Sequence, residues 1–340
     1  MQHPDTLAAS GRPTPGPGLV PDSSPLSLSL PPAGPAPVSR AVGVAILLVV
    51  TFVWGTTFVA TRSLVTGEAP ALAPGAATFW RFAVASVAIL PFVRIRPGRT
   101  GLPGSGPTFP SGVWRAGAEL SFWLWAGYAT QAVGLQYTTV SRSAFVTSLN
   151  VVFVPLLTAV AGRRVGAVVW VAAGLALGGA GLLSYDGSPP NAGDAWTLAC
   201  AAAFAAYIVR LERFAVRFPT IPLTAVQLWG VTAMSLPWMA AEATAGGAGW
   251  GRWTVGVAVA IAYMGVVATL ATTWLQAVGQ RVVPGTHASL LYTTEPVFAS
   301  AIAIAWFGDH LGATGWAGAG LILVAAAGSQ AVPMWRGRGK

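Results

Sequence analysis

Charge is what this sequence has least of. Only 9% of its 340 residues are Asp, Glu, Lys or Arg, and its mean hydropathy is +0.64. A soluble domain carries about 25% charged residues. A chain this poor in charge cannot cover a water-facing surface, so lipid is its solvent. Cysteine is nearly absent: Cys200 stands alone in an apolar stretch, which excludes an internal disulfide and makes it a small core residue. The three histidines, His3, His287 and His310, fall in a tail and at segment edges, so no metal cluster is expected. Neither G-x-S-x-G nor H-E-x-x-H occurs. The glycine spacings follow no strand, which removes a phosphate-cradling loop. Ten-residue alternation of the outer-membrane barrel type is missing as well. No cofactor is expected.

Long apolar runs, such as Leu321 to Ala327, take the place of what is missing. The sequence predicts an all-α integral membrane protein with ten transmembrane helices. The predicted spans are 41–61, 72–93, 116–136, 140–161, 166–185, 194–214, 221–241, 254–276, 285–307 and 312–332, each near the roughly 20 residues that cross a bilayer. Residues 1–39, rich in Pro, Gly and Ser, are expected to form a disordered cytoplasmic tail without signal-peptide character. Residues 333–340 form a basic tail, and the Pro97–Gly112 stretch is the longest internal loop.

The chain is also written twice. Gln131 recurs as Gln276 and Phe153 as Phe298, both at an offset of 145 residues. After a one-residue slip, Gly162, Gly166, Trp170 and Gly174 recur as Gly308, Gly312, Trp316 and Gly320. The first repeat covers 40–187 and the second 192–332. Five segments per repeat, an odd number, insert the second copy upside down, and inverted repeats around a central cavity mark secondary transporters.

Orientation follows from basic residues in short loops. With both termini in the cytoplasm, fourteen basic residues fall inside: Arg40, Arg94, Arg96, Arg99, Arg115, Arg163, Arg164, Arg210, Arg213, Arg217, Arg281, Arg336, Arg338 and Lys340. Only Arg62, Arg142 and Arg252 fall outside, together with Glu68, Asp186, Asp194, Glu242 and Asp309. The net charge of +9 therefore reflects topology and not a nucleic-acid partner, because the basic residues form no single block.

Charges within a span are costly and become functional candidates. Glu295 lies about ten residues into the ninth span, near mid-depth at about 1.5 Å per residue. Pro296 follows it, and Tyr292, Thr293 and Thr294 crowd the same turn. Glu295 is suited to bind an amine or cation or to exchange a proton; it is equally suited to pair with Arg81, near mid-depth in the second span. Arg81 would receive a solute carboxylate, or else act structurally by neutralising Glu295 or bonding freed carbonyls. Glu119 is expected to pair with Arg115, one turn away. Midspan polar residues form a second tier: Trp54, Thr56, Thr57, Tyr128, Gln131, Asn150, Tyr207, Trp274 and Gln276. The repeat pairs Gln131 with Gln276, and Asn150 with Glu295. These side chains suit either a pocket between the halves or interhelical hydrogen bonding. Gly162-x-x-x-Gly166, Gly174-x-x-x-Gly178 and Gly308-x-x-x-Gly312 suit close helix packing, or a homodimer face.

With these residues in hand, the chain resembles the EamA family of the drug/metabolite transporter superfamily. The matching stretches are Trp54-Gly55-Thr56-Thr57-Phe58-Val59-Ala60, Trp80-Arg81-Phe82, Ser143 through Asn150, Gly193-Asp194, and Ala288-Ser289-Leu290-Leu291 through Glu295-Pro296-Val297-Phe298. The resemblance implies two inverted five-helix bundles around a central cavity, with the fifth and tenth spans peripheral. It also implies a carrier of amino acids, related metabolites or drugs in the plasma or inner membrane, often outward. Such proteins commonly end the fourth and ninth spans in Gly-Glu, whereas this chain has Gly162-Arg163 and Gly308-Asp309. The expected partner is a small solute, zwitterionic given one acid and one arginine, or flat and aromatic given Trp54, Trp80, Tyr128, Tyr207 and Trp274, with proton coupling through Glu295. The alternatives are a membrane-embedded lipid-linked transferase and a non-transporting scaffold.

Overall fold

The helices are built from apolar residues that cannot leave backbone groups unpaired in lipid. The computed structural model describes residues 38–57, 60, 64, 71–94, 109–184, 189–245, 251–307, 310 and 312–331, with no strand among them. The N-terminal tail, most of the Pro97–Gly112 loop, Arg62, Glu68, Arg96, Arg99, Asp186, Gly308-Asp309 and the basic tail 333–340 lie outside the described residues. In chain order the elements are α1 (Arg40–Gly55), α2 (Pro74–Ala88), α3 (Leu90–Arg94), α4 (Val113–Gly134), α5 (Val140–Thr147), α6 (Asn150–Val160), α7 (Ala167–Ser184) and α8 (Ala192–Ala215). There follow α9 (Thr220–Thr244), α10 (Val255–Gly265), a π-helical turn (Val266–Ala271), α11 (Thr272–Gly279), α12 (Gly285–Tyr292), α13 (Glu295–Phe307) and α14 (Ala313–Ala331). Five helical stretches are long and apolar enough to cross a membrane: Pro74–Val93, Arg142–Val160, Ala167–Ser184, Ala192–Ala215 and Val255–Gly279.

The principal contacts are preserved when the two repeats are exchanged. α4 packs on α8 as α11 packs on α1, and α6 packs on α8 as α13 packs on α1. α2 meets α9 and α7 meets α14, each joining equivalent positions of the two repeats, while α6, the second half of the fourth segment, meets α12, the first half of the ninth. The α7–α14 pair has glycine at its crossing. A Cβ on Gly179 would stand 2.7 Å from the Gly318 carbonyl oxygen, and one on Gly318 would stand 2.5 Å from that of Gly179. The sequence expectation placed close packing at Gly162, Gly166, Gly174 and Gly178. Among the described residues a Cβ at any of these four would meet nothing within 4 Å, so their spacing reflects no packing against those residues. The outward phase of Gly174 and Gly178 on α7, a few residues from the inward Gly179, explains the difference.

Two helices break at equivalent places. The fourth apolar segment divides at Ser148-Leu149 into α5 and α6, and the ninth at Thr293-Thr294 into α12 and α13. Asn150 and Glu295, paired by the repeat, are the first residues of the two second halves. Hydroxyls bond back to carbonyls at both breaks: Thr293 Oγ1 donates to Leu290 O and Thr294 Oγ1 to Leu291 O, each at 2.7 Å, while Ser148 Oγ donates to Ala144 O at 2.8 Å. Such short-range back-bonding competes with the regular ladder and often accompanies a bend.

The π-helical turn is a third interruption, and Arg81 of α2 is its partner. Arg81 Nε donates to Thr269 Oγ1 at 2.6 Å and Nη2 to Ala268 O at 3.1 Å. Its guanidinium carbon also lies 4.4 Å from the Tyr128 ring centroid. Close approach is possible because Gly265 has no side chain: a Cβ there would stand 2.6 Å from Val84 Cγ1. Of the roles the sequence left open for Arg81, the structure favours the one that bonds freed backbone, and no ion pair to Glu295 exists among the described residues. Glu119 also differs from expectation. It accepts from Arg210 of α8, through Nε and through Nη2 at 2.8 Å, so the acid ties α4 to α8 and not to Arg115 on its own helix. A pair across two helices presents both carboxylate oxygens to one guanidinium fork, which a one-turn neighbour does not.

Two stability measurements check this account. Gly179→Ala drives a methyl into backbone, so it should destabilise by about 1–3 kcal/mol, while Gly174→Ala and Gly178→Ala should stay within about 0.5 kcal/mol of wild type. Arg81→Met leaves the Thr269 hydroxyl without its guanidinium donor and the Ala268 carbonyl with Thr272 Oγ1 alone, and should cost about 1–3 kcal/mol. Melting temperatures in one detergent read both; equal melting of Gly179→Ala and Gly174→Ala would contradict the first.

Candidate functional site

Between the two broken helices lies a cavity of about 50 Å³. Its wall is formed by Trp54 and Thr57 from the end of the first segment, Leu124, Tyr128 and Gln131 from α4, and Thr147 and Asn150 from the α5–α6 break. The second repeat contributes Phe204, Tyr207 and Ile208 from α8, Gln276 from α11, and Tyr292 and Glu295 from the α12–α13 break. Nine of the ten site residues expected from sequence therefore meet on one cavity: Trp54, Thr57, Tyr128, Gln131, Asn150, Tyr207, Gln276, Tyr292 and Glu295. Arg81 is the tenth and does not. It lies behind Tyr128, on a separate void of about 10 Å³ shared with Gln131.

Aromatic rings interlock around the void. Trp54 and Tyr292 have centroids 5.1 Å apart, and Tyr128 lies 5.4 Å from Phe204 and 5.2 Å from Phe82 in edge-on geometry. Such pairs hold their planes without extra hydrogen bonds. Gly127 makes room for Phe204, since a Cβ there would stand 2.4 Å from the ring. Tyr207 presents its ring and turns its hydroxyl into the wall, donating to Gln227 Oε1 at 2.8 Å. Trp80 and Trp274 are not on the cavity; Trp80 packs edge-on against Trp253, 5.2 Å away.

Polar atoms are left over inside this ring. Trp54 Nε1 and Asn150 Oδ1 are buried and make no hydrogen bond among the described residues. Native proteins pair nearly all such atoms, so each calls for an explanation. Glu295 is the sole ionisable carboxylate on the wall and has no ion pair among the described residues. As the first residue of α13 it sits where helix N–H groups favour negative charge. Among the described residues no cluster of three His, Cys, Asp or Glu could hold a metal. Chemically, the arrangement offers one acid, neutral donors and acceptors, and ring faces.

A second, larger cavity of about 500 Å³ lies at the end of α8. A thin layer divides it from the first: Gln280, buried on the loop after α11, donates to Ile208 O at 3.1 Å, and Tyr292 Oη reaches Gln280 Oε1 at 3.5 Å. Beside this layer Glu212 accepts from Arg163 Nη2 at 2.7 Å and from Gly285 N–H, the start of α12, at 2.8 Å. The Glu212 carboxylate holds the Arg163 guanidinium above its ordinary pKa. This gives the Gly162-Arg163 departure a partner: the inverted charge meets an acid on α8. At the opposite end of α8, Asp194 receives Arg142 of α5 through two bonds of 2.6 and 2.7 Å and forms a capping box with Asn191. Sequence reading passed over Phe204, Gln280 and Glu212. Phe204 lies one turn from Tyr207 and Ile208, and Gln280 one turn from Gln276, and that spacing was the available signal.

Comparison with known proteins follows the same outline. The chain is 25% identical over 287 residues to an uncharacterized transporter of Archaeoglobus fulgidus, covering 82% of each chain. Its fold is similar to that of a protein of known crystal structure, with a TM-score of 0.67 at 21% identity, over 87% of this chain and all of the other. The model of the EamA-like transporter family matches residues 41–185 and again residues 191–329. Two successive matches, meeting at the junction between α7 and α8, make this chain a membrane transporter and a member of the EamA-like transporter family.

Proposed function

We propose that this protein is a secondary carrier of the cell membrane that moves small amine-bearing solutes, amino acids and related aromatic compounds among them, outward by alternating access. Ten spans, arranged as two inverted bundles, would enclose the cavity, with both termini in the cytoplasm. The observation that carries the reading is Glu295: an acid with no ion pair among the described residues, at a helix break, on a cavity walled by both repeats.

With Arg81 withdrawn behind Tyr128, Glu295 is the charge a solute meets. An ammonium group would satisfy it, the faces of Trp54 and Tyr128 favour a cation or a ring, and Trp54 Nε1 offers a donor to a solute carboxylate. When no solute is present, a proton serves the same purpose, so the carboxylate would alternate between proton and amine and couple the two fluxes. The cavity of about 50 Å³ is well under the roughly 300 Å³ of a filled ligand pocket. Entry thus requires the bundles to part. The thin Gln280 layer faces the arginine-rich end, which the positive-inside rule puts in the cytoplasm, so loading from inside needs the smaller movement. At the other end the ion pair Arg142–Asp194 holds α5 to the start of α8.

Proteoliposome flux tests this directly. Wild-type protein should release loaded amino acids in a manner dependent on solute and on the proton gradient, which neither a lipid-linked transferase nor a scaffold would produce. Glu295→Gln should cut flux at least tenfold and abolish the gradient dependence. Normal flux with unchanged gradient dependence in that variant would defeat the proposal.

A further inference from the structure

Five arginines converge on the 500 Å³ cavity at the end of α8: Arg163, Arg210, Arg213, Arg217 and Arg281. Arg163 is held by Glu212 and Arg210 by Glu119, so five cations meet two carboxylates and a surplus of three positive charges remains. Arg213, Arg217 and Arg281 carry that surplus; they are exposed and have no ion pair among the described residues.

Two ordinary explanations account for part of this. The C-terminal dipole of α8 favours Arg213 in its last turn. The positive-inside rule puts basic residues on this side of the protein. Neither requires that residues from four separate places, the α6–α7 loop, α8, the α8–α9 loop and the α11–α12 loop, face one concavity. Like charges gathered around a hollow with low-dielectric walls repel one another and focus their field into it. That arrangement is stabilised by an anion. Guanidinium forks pair with oxyanions in two-point contacts. A carboxylate offers two oxygens to one fork, whereas a phosphate has further oxygens for neighbouring forks, and as the free ion or a monoester it carries about −1.5 to −2 at neutral pH.

We propose that this cavity is a phosphate-binding site, separate from the solute cavity and divided from it by Gln280. The phosphate belongs either to an anionic phospholipid headgroup or to a free ion of the cytoplasm. The site adjoins Glu212, which ties Arg163 to the first N–H of α12. Its occupant therefore sits beside the inner closure whichever solute the carrier moves, and its binding can be measured without transport.

The full chain, purified in a neutral detergent, is titrated with inorganic phosphate at pH 7 at constant ionic strength set by chloride. In parallel, phosphatidylglycerol is added against phosphatidylcholine as the control lipid. The expected result is a saturable rise in melting temperature of a few degrees, abolished in Arg213→Gln/Arg217→Gln/Arg281→Gln. Arg164→Gln removes an exposed charge that does not line the cavity and should keep the rise in full. A rise with phosphate identifies the free ion, and a rise with phosphatidylglycerol alone identifies the headgroup. If the triple variant does not fold, Arg281→Gln alone should weaken the apparent affinity about tenfold. No saturable rise with either ligand overturns the site, as does a rise that survives in the triple variant or falls equally in Arg164→Gln.

Discussion

Every backbone carbonyl that a helix releases inside lipid must find another donor, and the placement of those donors organises this structure. The protein interrupts its helices where a cavity is needed, at Ser148-Leu149, at Thr293-Thr294 and in the π-helical turn from Val266 to Ala271. Each interruption is supplied with donors that cost little: hydroxyls one turn away at the first two, and the Arg81 guanidinium at the third. Because the donors are satisfied locally, the cavity wall is free to carry groups that are not. Trp54, Asn150 and Glu295 hold the polar capacity that the backbone does not consume.

The two ends of α8 show how charge is distributed around that wall. Asp194 joins α5 to the start of α8 through two short bonds to Arg142, with the side chains 19% and 6% exposed. At the other end, Glu212 and Glu119 are spread over more arginines than they can neutralise. One end is a closed pair and the other an excess of one sign. The pair holds two elements together, whereas the like charges repel one another, and the larger cavity lies at the end where they gather.

Much of this was legible in the sequence, because apolar length and internal duplication are one-dimensional signals. The ten apolar segments each correspond to a helix or to consecutive helical pieces. The offset of 145 residues correctly paired Asn150 with Glu295, since both begin the second half of a broken helix. Nine of the site residues came together because rare polar side chains at mid-depth have few places to go. What stayed hidden depended on rotation about helix axes. Arg81 and Glu295 share a depth, yet nothing in their spacing reveals that Tyr128 stands between Arg81 and the cavity. Gly174 and Gly179 both belong to a small-residue pattern, and only the phase of α7 determines that Gly179 touches Gly318 while Gly174 faces outward. Glu119 found Arg210 and not Arg115 because the contact between α4 and α8 is made by folding and not by sequence neighbourhood.

The π-helical turn sets the angular phase of everything after it. An α-helix advances about 100° per residue, and a π-turn holds one residue more than the α-helical path requires. The faces of α10 and α11 are consequently offset from one another by about that angle. Gln276 and Gln280, one turn apart on the shifted side, face the cavity between the repeats and the layer beneath it, while Trp274 is 40% exposed on the far side. Loss of one residue between Val266 and Ala271 would restore a regular ladder and leave the composition almost unchanged. It would also rotate both glutamines off the path and release Arg81 from its carbonyl. In this protein the length of one helix therefore determines which side chains line the cavity, and it is counted in single residues.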